Sequence, residues 1–410
     1  MRLSPIRFLL FVGLFAAISP LKAQQGEDKL ADSFNQTGMF LYYIMDKSSN
    51  TVISPFSINT SLLMAYMGAK GKTAEEMGNA LRLTSFQNQV GDAYRNIRDR
   101  LGRGVKVGVS AWLGNHTSIL SSYKTIVQED FNGIIEKIDL TKPQLAASKM
   151  NDWMRTHSEG KISSFIDPTT LTTSTKMILL NTLYIQGSWQ SPFPTQRSGS
   201  GQFKTLEGHY VNCRMMNQKS SLYYFENSDT QVVALPIEGL NSNISFIIFL
   251  PKEEQDPLYD FYYSQDESKP KGFLTYLNQF EKKDVDLSLP KFIVSNKLNL
   301  MGLFRALGIN SALNTNANFS GIDGKQDLYI SQALHESVLS IDEGGIFAAA
   351  GSSITFSLKS FREPENPIEM NVNHPFLYAI YDFDTNLLLF LGECLNPAEQ
   401  SINSEGHTAS

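Results

Sequence analysis

Cysteine is nearly absent from this 410-residue chain, which carries only Cys213 and Cys394. Two thiols allow one disulfide or two separate buried thiols, and neither amounts to a disulfide scaffold. Histidine is scarce as well. None of the six, His116, His157, His209, His335, His374 and His407, stands at metal-ligand spacing from a cysteine or another histidine. There is no Gly-x-Ser-x-Gly nucleophile elbow and no Walker-type phosphate loop. With no catalytic centre to defend, the chain is not expected to be an enzyme, and it implies no metal or cofactor. Pro-rich linkers, low-complexity tracts and internal repeats are missing too, so nothing marks a domain boundary.

What is present is an ordinary globular balance, 42% hydrophobic and 19% charged, with ample length for a core. The first 23 residues stand apart. Arg2 and Arg7 precede the apolar run Phe8–Ile18, and Ser19–Ala23 ends in a small residue before Gln24. This is the layout of a secretory signal, whose apolar core is short for a bilayer. No later stretch is long and apolar enough for a membrane helix. A secreted, extracellular protein is expected, with one domain over residues 24–400 and a tail at 401–410 expected to be disordered. Loss of the three cations Arg2, Arg7 and Lys22 takes the formal charge from −6 to −9, which argues against general nucleic-acid binding. Sequons at Asn35, Asn115, Asn243 and Asn318 are glycosylation candidates. A fifth, at Asn59, starts an apolar helical run and is expected to be hidden.

Apolar residues at helical spacing run from Leu30 to Met45. Ser54-Pro55-Phe56-Ser57 opens a second helix, Ile58 to Ala69, with a serine placed to cap its first turn. Thr73 and Glu76 stand in capping-box spacing at a third helix start. From Val105 the texture turns to strands: alternation over Val105–Ala111 and Val285–Leu289, and continuous apolar runs at Met177–Leu180 and Ile244–Leu250. Phe376 to Leu391 reads as a hairpin turning near Asp384-Thr385-Asn386. Helices first, then many strands with scattered helices, is an α+β pattern with large sheets.

Two segments invite a functional reading. Arg95, Arg98, Arg100, Arg103 and Lys106 place basic residues near one another if Tyr94–Gly102 is helical. Such an edge suits a heparin-like glycosaminoglycan or an anionic membrane surface; the plainer alternative is a solvated face interrupted by Asp99. The second segment is Glu343–Ser360, EGGIFAAAGSSITFSLKS. Its tract of small residues cannot anchor a core, and Lys359-Ser360 and Arg362 offer bonds of the kind a trypsin-like protease cleaves. The plainer alternative is a Gly/Ser surface loop.

Several segments together resemble the serpin family. They are Asn50–Ser57 (NTVISPFS), Asn151-Asp152-Trp153 followed by Gly160-Lys161-Ile162, and Leu180–Trp189 (LNTLYIQGSW). Leu289-Pro290-Lys291-Phe292, His374-Pro375-Phe376 and Phe390-Leu391-Gly392 with Pro397 complete the set. They occur in family order over roughly Leu30 to Pro397. Each is weak alone; together they are specific.

The resemblance implies an α+β domain of three β-sheets, eight or nine helices and an exposed reactive-centre loop at about 343–366. It implies a monomer that traps a serine protease as a covalent acyl-enzyme when the cut loop inserts into the central sheet, a form of strand addition driven by stored strain. The hinge would be Glu343, Gly345, Ile346, Phe347, Ala348, Ala349 and Ala350. Ser54, Ser57, Asn181 and His335 match positions where the central sheet parts, and Trp189 matches the top of that sheet. Counting 17 residues from Glu343 selects Lys359-Ser360 as the cleaved bond, whereas counting back from His374 favours Arg362-Glu363. Alternation supports insertion: with Ile346 inward, Ala348, Ala350, Ser352, Ile354, Phe356 and Leu358 follow it inward, and no charge is buried. Ile346 and Phe347 depart from the hinge of inhibitory members, usually Thr or Ser then Glu. That departure supports a second reading, a non-inhibitory carrier or binding protein.

Overall fold

The computed structural model describes residues 5–45, 48–84, 86, 89–102, 104–162, 165–252, 273–347 and 366–399. The helical N-terminal part comprises α1 (Pro5–Ile44), α2 (Pro55–Gly68), α3 (Gly71–Ala80) and α4 (Val90–Leu101), with the short strand β1 (Thr51–Ile53) between the first two. The cleavage point expected after Ala23 falls inside α1, and the first buried side chains described there, Glu27 and Leu30, lie beyond it. Then come β2 (Val105–Gly114), α5 (Ser121–Thr125), β3 (Ile134–Ile138), α6 (Pro143–His157), β4 (Met177–Ile185) and β5 (Gly187–Trp189). The hairpin-rich middle holds β6 (Gly199–Lys204), β7 (Tyr210–Glu226), β8 (Thr230–Glu238), β9 (Ile244–Pro251), β10 (Glu281–Pro290) and β11 (Phe292–Asn299). Last are α7 (Met301–Ala306), α8 (Ser320–Asp323), β12 (Ile330–Ile341), β13 (Gly345–Ile346), β14 (Ile368–Asn371), β15 (Phe376–Asp382) and β16 (Leu387–Cys394).

The strands form three stretches of ladder linked end to end. The central one runs β11-β12-β4-β2-β3, with β12 and β4 parallel neighbours. A second runs β1-β16-β15-β9-β8. The third is built on β7, which pairs with β6 and β10, while β10 also pairs with β14. The short pair β5–β8 joins the central ladder to the second. Among the described residues there are eight α-helices, and the α+β expectation holds.

Continuous apolar runs became fully buried strands. Every residue of β4 is buried, as is every residue of β15 and β16. The helix α2 passes through the core, and all its residues but Met67 are buried. Two of its small polar residues bond locally there: Thr60 Oγ1 donates to the Phe56 carbonyl at 2.8 Å and Asn59 Nδ2 to that of Pro55 at 2.8 Å. One core lies between these helices and the inner face of the central ladder. A second layer packs α6 against the opposite face, with Met150, Trp153 and Met154 over Ile178 and Leu180.

Two expectations need correction, and one open alternative is decided. Thr73 and Glu76 form no capping box. The helix starts at Gly71, Thr73 Oγ1 accepts from the Asn318 amide, and Glu76 accepts from the amides of Asn310 and Ser311, which tie α3 to a distant segment instead. Asn35 is buried, with Nδ2 donating to the Asn386 carbonyl at 2.7 Å and Oδ1 accepting from the Leu388 amide, so a glycan has no exit there. Asn115 and Asn243 are exposed, Asn318 is half-buried and Asn59 is buried. Cys213 and Cys394 are both free thiols, so the disulfide alternative is not formed.

Candidate functional site

The parallel pair β4–β12 ends in a fork. Their residues match from Ile330–Met177 up to Glu336–Thr182 and no further, although β12 continues to Ile341 and β4 to Ile185. At the open end, Asp342–Gly345 turns the chain back. Asp342 Oδ1 accepts from the Gly344 and Gly345 amides, and Ile346 then pairs antiparallel with Ile341. On its other side Ile346 pairs with Gly187 of β5. A strand continuing from Ile346 is antiparallel to both β12 and β4, so the fork is shaped to admit one more strand. Ile346 is already seated in its mouth, fully buried. Gly345 is required by close approach: a Cβ there would sit 2.1 Å from the Gly187 carbonyl oxygen.

Beneath the fork lies the network expected from Ser54, Ser57, Asn181 and His335. Ser54 caps α2, its hydroxyl accepting from the Ser57 amide at 3.0 Å. Ser57 Oγ donates to Asn181 Oδ1 at 2.9 Å, and His335 Nδ1 donates to the same oxygen at 2.5 Å. His335 Nε2 accepts from the Ser54 amide at 3.1 Å and from the Ser337 hydroxyl at 2.7 Å. This assignment requires the neutral ring. Burial lowers its pKa to about 3, so it stays neutral near pH 7. The four residues tie α2 to β4 and β12 across the strands that a new strand would have to part.

The hinge is clamped from three sides. Trp189 Nε1 donates to the Asp342 carbonyl at 2.8 Å, and the Trp189 amide donates to that of Gly344 at 3.0 Å. The Glu343 carboxylate accepts from Arg214 Nε at 2.7 Å and Lys291 Nζ at 3.2 Å. Partial burial opposes its ionisation, but the bonds from Arg214 and Lys291 outweigh that and hold its pKa down to about 2. Phe347, one of the two residues that depart from the inhibitory hinge pattern, is half-buried. It stacks on Tyr184 with ring centroids 5.3 Å apart, and the Lys161 ammonium lies 5.1 Å from its ring centroid. Its φ of 47° is left-handed, an unusual conformation for a bulky residue, and Gln186 Nε2 donates to its carbonyl at 3.1 Å.

Sequence reasoning missed Arg214, Lys291, Lys161, Tyr184 and Ser337. Lys291 and Lys161 stand inside segments that carried the family resemblance, but nothing local says what a lysine there will touch. Ala348, Ala349 and Ala350, with Lys359, Ser360, Arg362 and Glu363, lie outside the described residues, as does Arg103. The other cations of the basic segment do not form a free positive edge. Arg95 pairs with Asp130 and Asp92, Arg98 with Asp99, Arg100 with Glu27 and Lys106 with Glu159.

The central ladder is thus forked at one end, with a polar network under the split and the next segment turned into its mouth. Comparison with known proteins places this fold. The family described as "Serpin (serine protease inhibitor)" matches residues 32–397, and the chain belongs to that family. A "Serine protease inhibitor" of Cyanea capillata is 30% identical over 358 residues, covering 85% of this chain and 93% of that protein. "Serine protease inhibitor 42Dd" of Drosophila melanogaster is 32% identical over 374 residues, covering 88% and 96%. Among solved structures, human thyroxine-binding globulin complexed with thyroxine superposes with a TM-score of 0.78 at 24% identity, covering 92% of this chain and 100% of that one. At that identity the likeness is one of fold alone. The first two relatives carry the names of protease inhibitors, and the globulin that of a binding protein.

Proposed function

We propose that this chain is a secreted suicide-substrate inhibitor of trypsin-like serine proteases. A protease would cut after Lys359, or after Arg362 as the runner-up, and be held as an acyl-enzyme while the cut segment enters the fork as a new strand. Placement of the protein in a proteolytic cascade, such as coagulation or innate immunity, would follow from that specificity. The observation that carries the reading is Ile346, seated between Ile341 and Gly187 at the start of the only path a strand from Gly345 can follow between β12 and β4 among the described residues. The test is incubation with trypsin. An SDS-stable adduct is expected, abolished by Lys359→Ala or Arg362→Ala, whichever residue carries the bait. Complete cleavage with no adduct rejects it.

A second reading, a non-inhibitory carrier, is favoured by Phe347. Its docking on Tyr184 under Lys161 fixes the residue that must next move. Thermal melting before and after loop cleavage separates the two: a large rise marks insertion, and no rise supports the carrier. The polysaccharide role is the weakest, because the carboxylates facing Arg95, Arg98 and Arg100 cancel much of the field a polyanion would need. Heparin is expected to leave the rate of inhibition unchanged.

A further inference from the structure

The face of the central ladder under α6 carries a second group of polar residues at the same fork. Residues alternate sides along a strand. On β4, Asn181 faces α2 while Ile178, Leu180 and Thr182 face α6; on β12, His335 faces α2 while Leu334, Glu336 and Val338 face α6. Glu336 is 4% exposed and stands directly across from Thr182, the last matched pair before the strands separate. Oε2 of Glu336, Oγ1 of Thr182 and Nε1 of Trp153 are all buried and make no hydrogen bond. Trp153 and Thr182 belong to one contact group, since a Cβ built at Gly108 would meet both. Burial with one oxygen lacking a hydrogen bond disfavours the ionised carboxylate in such a layer, whereas a protonated carboxyl is tolerated.

We propose that Glu336 is a proton-dependent latch on the parting of β4 and β12. Protonated, it stays in the dry layer beneath α6 and the pair Glu336–Thr182 remains closed. Deprotonated, it favours the parted sheet, where water or an entering backbone can solvate it. The incoming strand must reach this point: counting from Ile341 to Glu336 on one edge and from Gly187 to Thr182 on the other, it arrives after the same number of residues on both. Both edges of the fork therefore place Glu336 and Thr182 at one step of insertion.

The neighbouring charges leave Glu336 as the group to titrate. Lys297 of β11 is its cross-strand partner, with its ammonium 5.8 Å from the Phe165 ring centroid. It opposes, without overcoming, the burial that raises the Glu336 carboxyl to about 7. From α6, His157 stacks on Trp153 at 4.3 Å between ring centroids, and its Nδ1 is hydrogen-bonded to the Trp153 carbonyl at 2.8 Å. In the segment that follows, Glu159 pairs with Lys106, and Lys161 lies over Phe347. A carboxyl whose pKa is raised in the closed state stabilises that state fully below its solvated value, and the stability is lost as pH rises through about 7.

The test uses the full-length, uncleaved protein and no protease, so it fails or succeeds apart from the inhibitory reading. Amide-exchange protection, corrected for intrinsic rates, is followed for the upper ends of β4 and β12 against pH. Protection is expected to fall about tenfold between about pH 6 and pH 8 in the wild type. It should become independent of pH in Glu336→Gln, with β15 and β16 unaffected in both. Lys297→Met should move the fall to higher pH, since it removes the cation that opposes protonation. A Glu336→Gln profile identical to wild type, or a flat profile in His157→Gln instead, overturns the proposal. An unmoved profile in Lys297→Met does so as well.

Discussion

Trp189 donates its indole hydrogen to the carbonyl of Asp342 at 2.8 Å, fixing the turn that aims the hinge into the central ladder. The ring is buried and tilted against Phe246, with centroids 5.8 Å apart. Trp189→Phe keeps most of the apolar contact and removes the donor. The carbonyl is then left without that partner, a loss of about 1–3 kcal/mol. Denaturant unfolding should show the unfolding free energy lowered by that amount, as a lower midpoint with an unchanged slope, and exchange should quicken first at residues 342–346. An unaltered midpoint would show that the hydrogen bond contributes nothing net.

Phe347 is held more firmly than an ordinary surface aromatic. Replacing it with alanine removes the stack on Tyr184 and the cation from Lys161. Aromatic pairs of this kind contribute about 0.5–1.5 kcal/mol. If releasing Phe347 is a step toward insertion, Phe347→Ala should speed trapping of trypsin roughly two- to tenfold. Progress curves against enzyme concentration give the rate constant directly. A slower variant would mean that the ring assists insertion.

Asn181 Oδ1 receives two donors, Ser57 Oγ and His335 Nδ1. Asn181→Ala leaves both without an acceptor in a dry site, at about 1–3 kcal/mol for each. The closed form should therefore lose several kcal/mol by chemical denaturation, far more than a surface asparagine. His335 adds a pH dependence of known sign. Its folded pKa, about 3, lies below its unfolded value of 6.5. Its contribution is complete above about pH 6.5 and lost as the solution becomes more acidic. His335→Gln should be less sensitive than wild type over that acid range in thermal melts.

Most of the architecture was legible because burial on both faces leaves a plain mark. The runs Met177–Leu180 and Ile244–Leu250 could be little else than interior strands, and they lie in β4 and β9. The cap at Ser54 was readable because its partner, Ser57, is three residues away. What failed depended on partners remote in sequence. Thr73 and Glu76 had the spacing of a local cap but bond to residues 310–318, and Glu343 is held by Arg214 and Lys291. Phe347 looked like a misfit because its partners, Tyr184 and Lys161, come from other elements. The carboxylates facing the basic segment were hidden for the same reason: Asp130 and Glu27, which face Arg95 and Arg100, lie on neighbouring elements rather than beside them in the chain.

Glu343 supplies the last test. Its carboxyl is held at about 2 against an ordinary 4.5, so it stabilises the folded protein above about pH 4.5. That contribution is lost as pH falls from there toward 2. Glu343→Gln keeps the shape but gives Arg214 and Lys291 a neutral partner. At neutral pH the variant should melt below wild type, and the gap should shrink on acidification until the two converge near about pH 2–3. Added salt should narrow the gap only partly, because the carboxylate is 11% exposed while its two partners are 49% and 42% exposed. A constant gap at all pH values would mean that the side chain acts through packing alone. The clamp then would not be the ionic tie between β7, the β10–β11 corner and the base of the hinge that the distances describe.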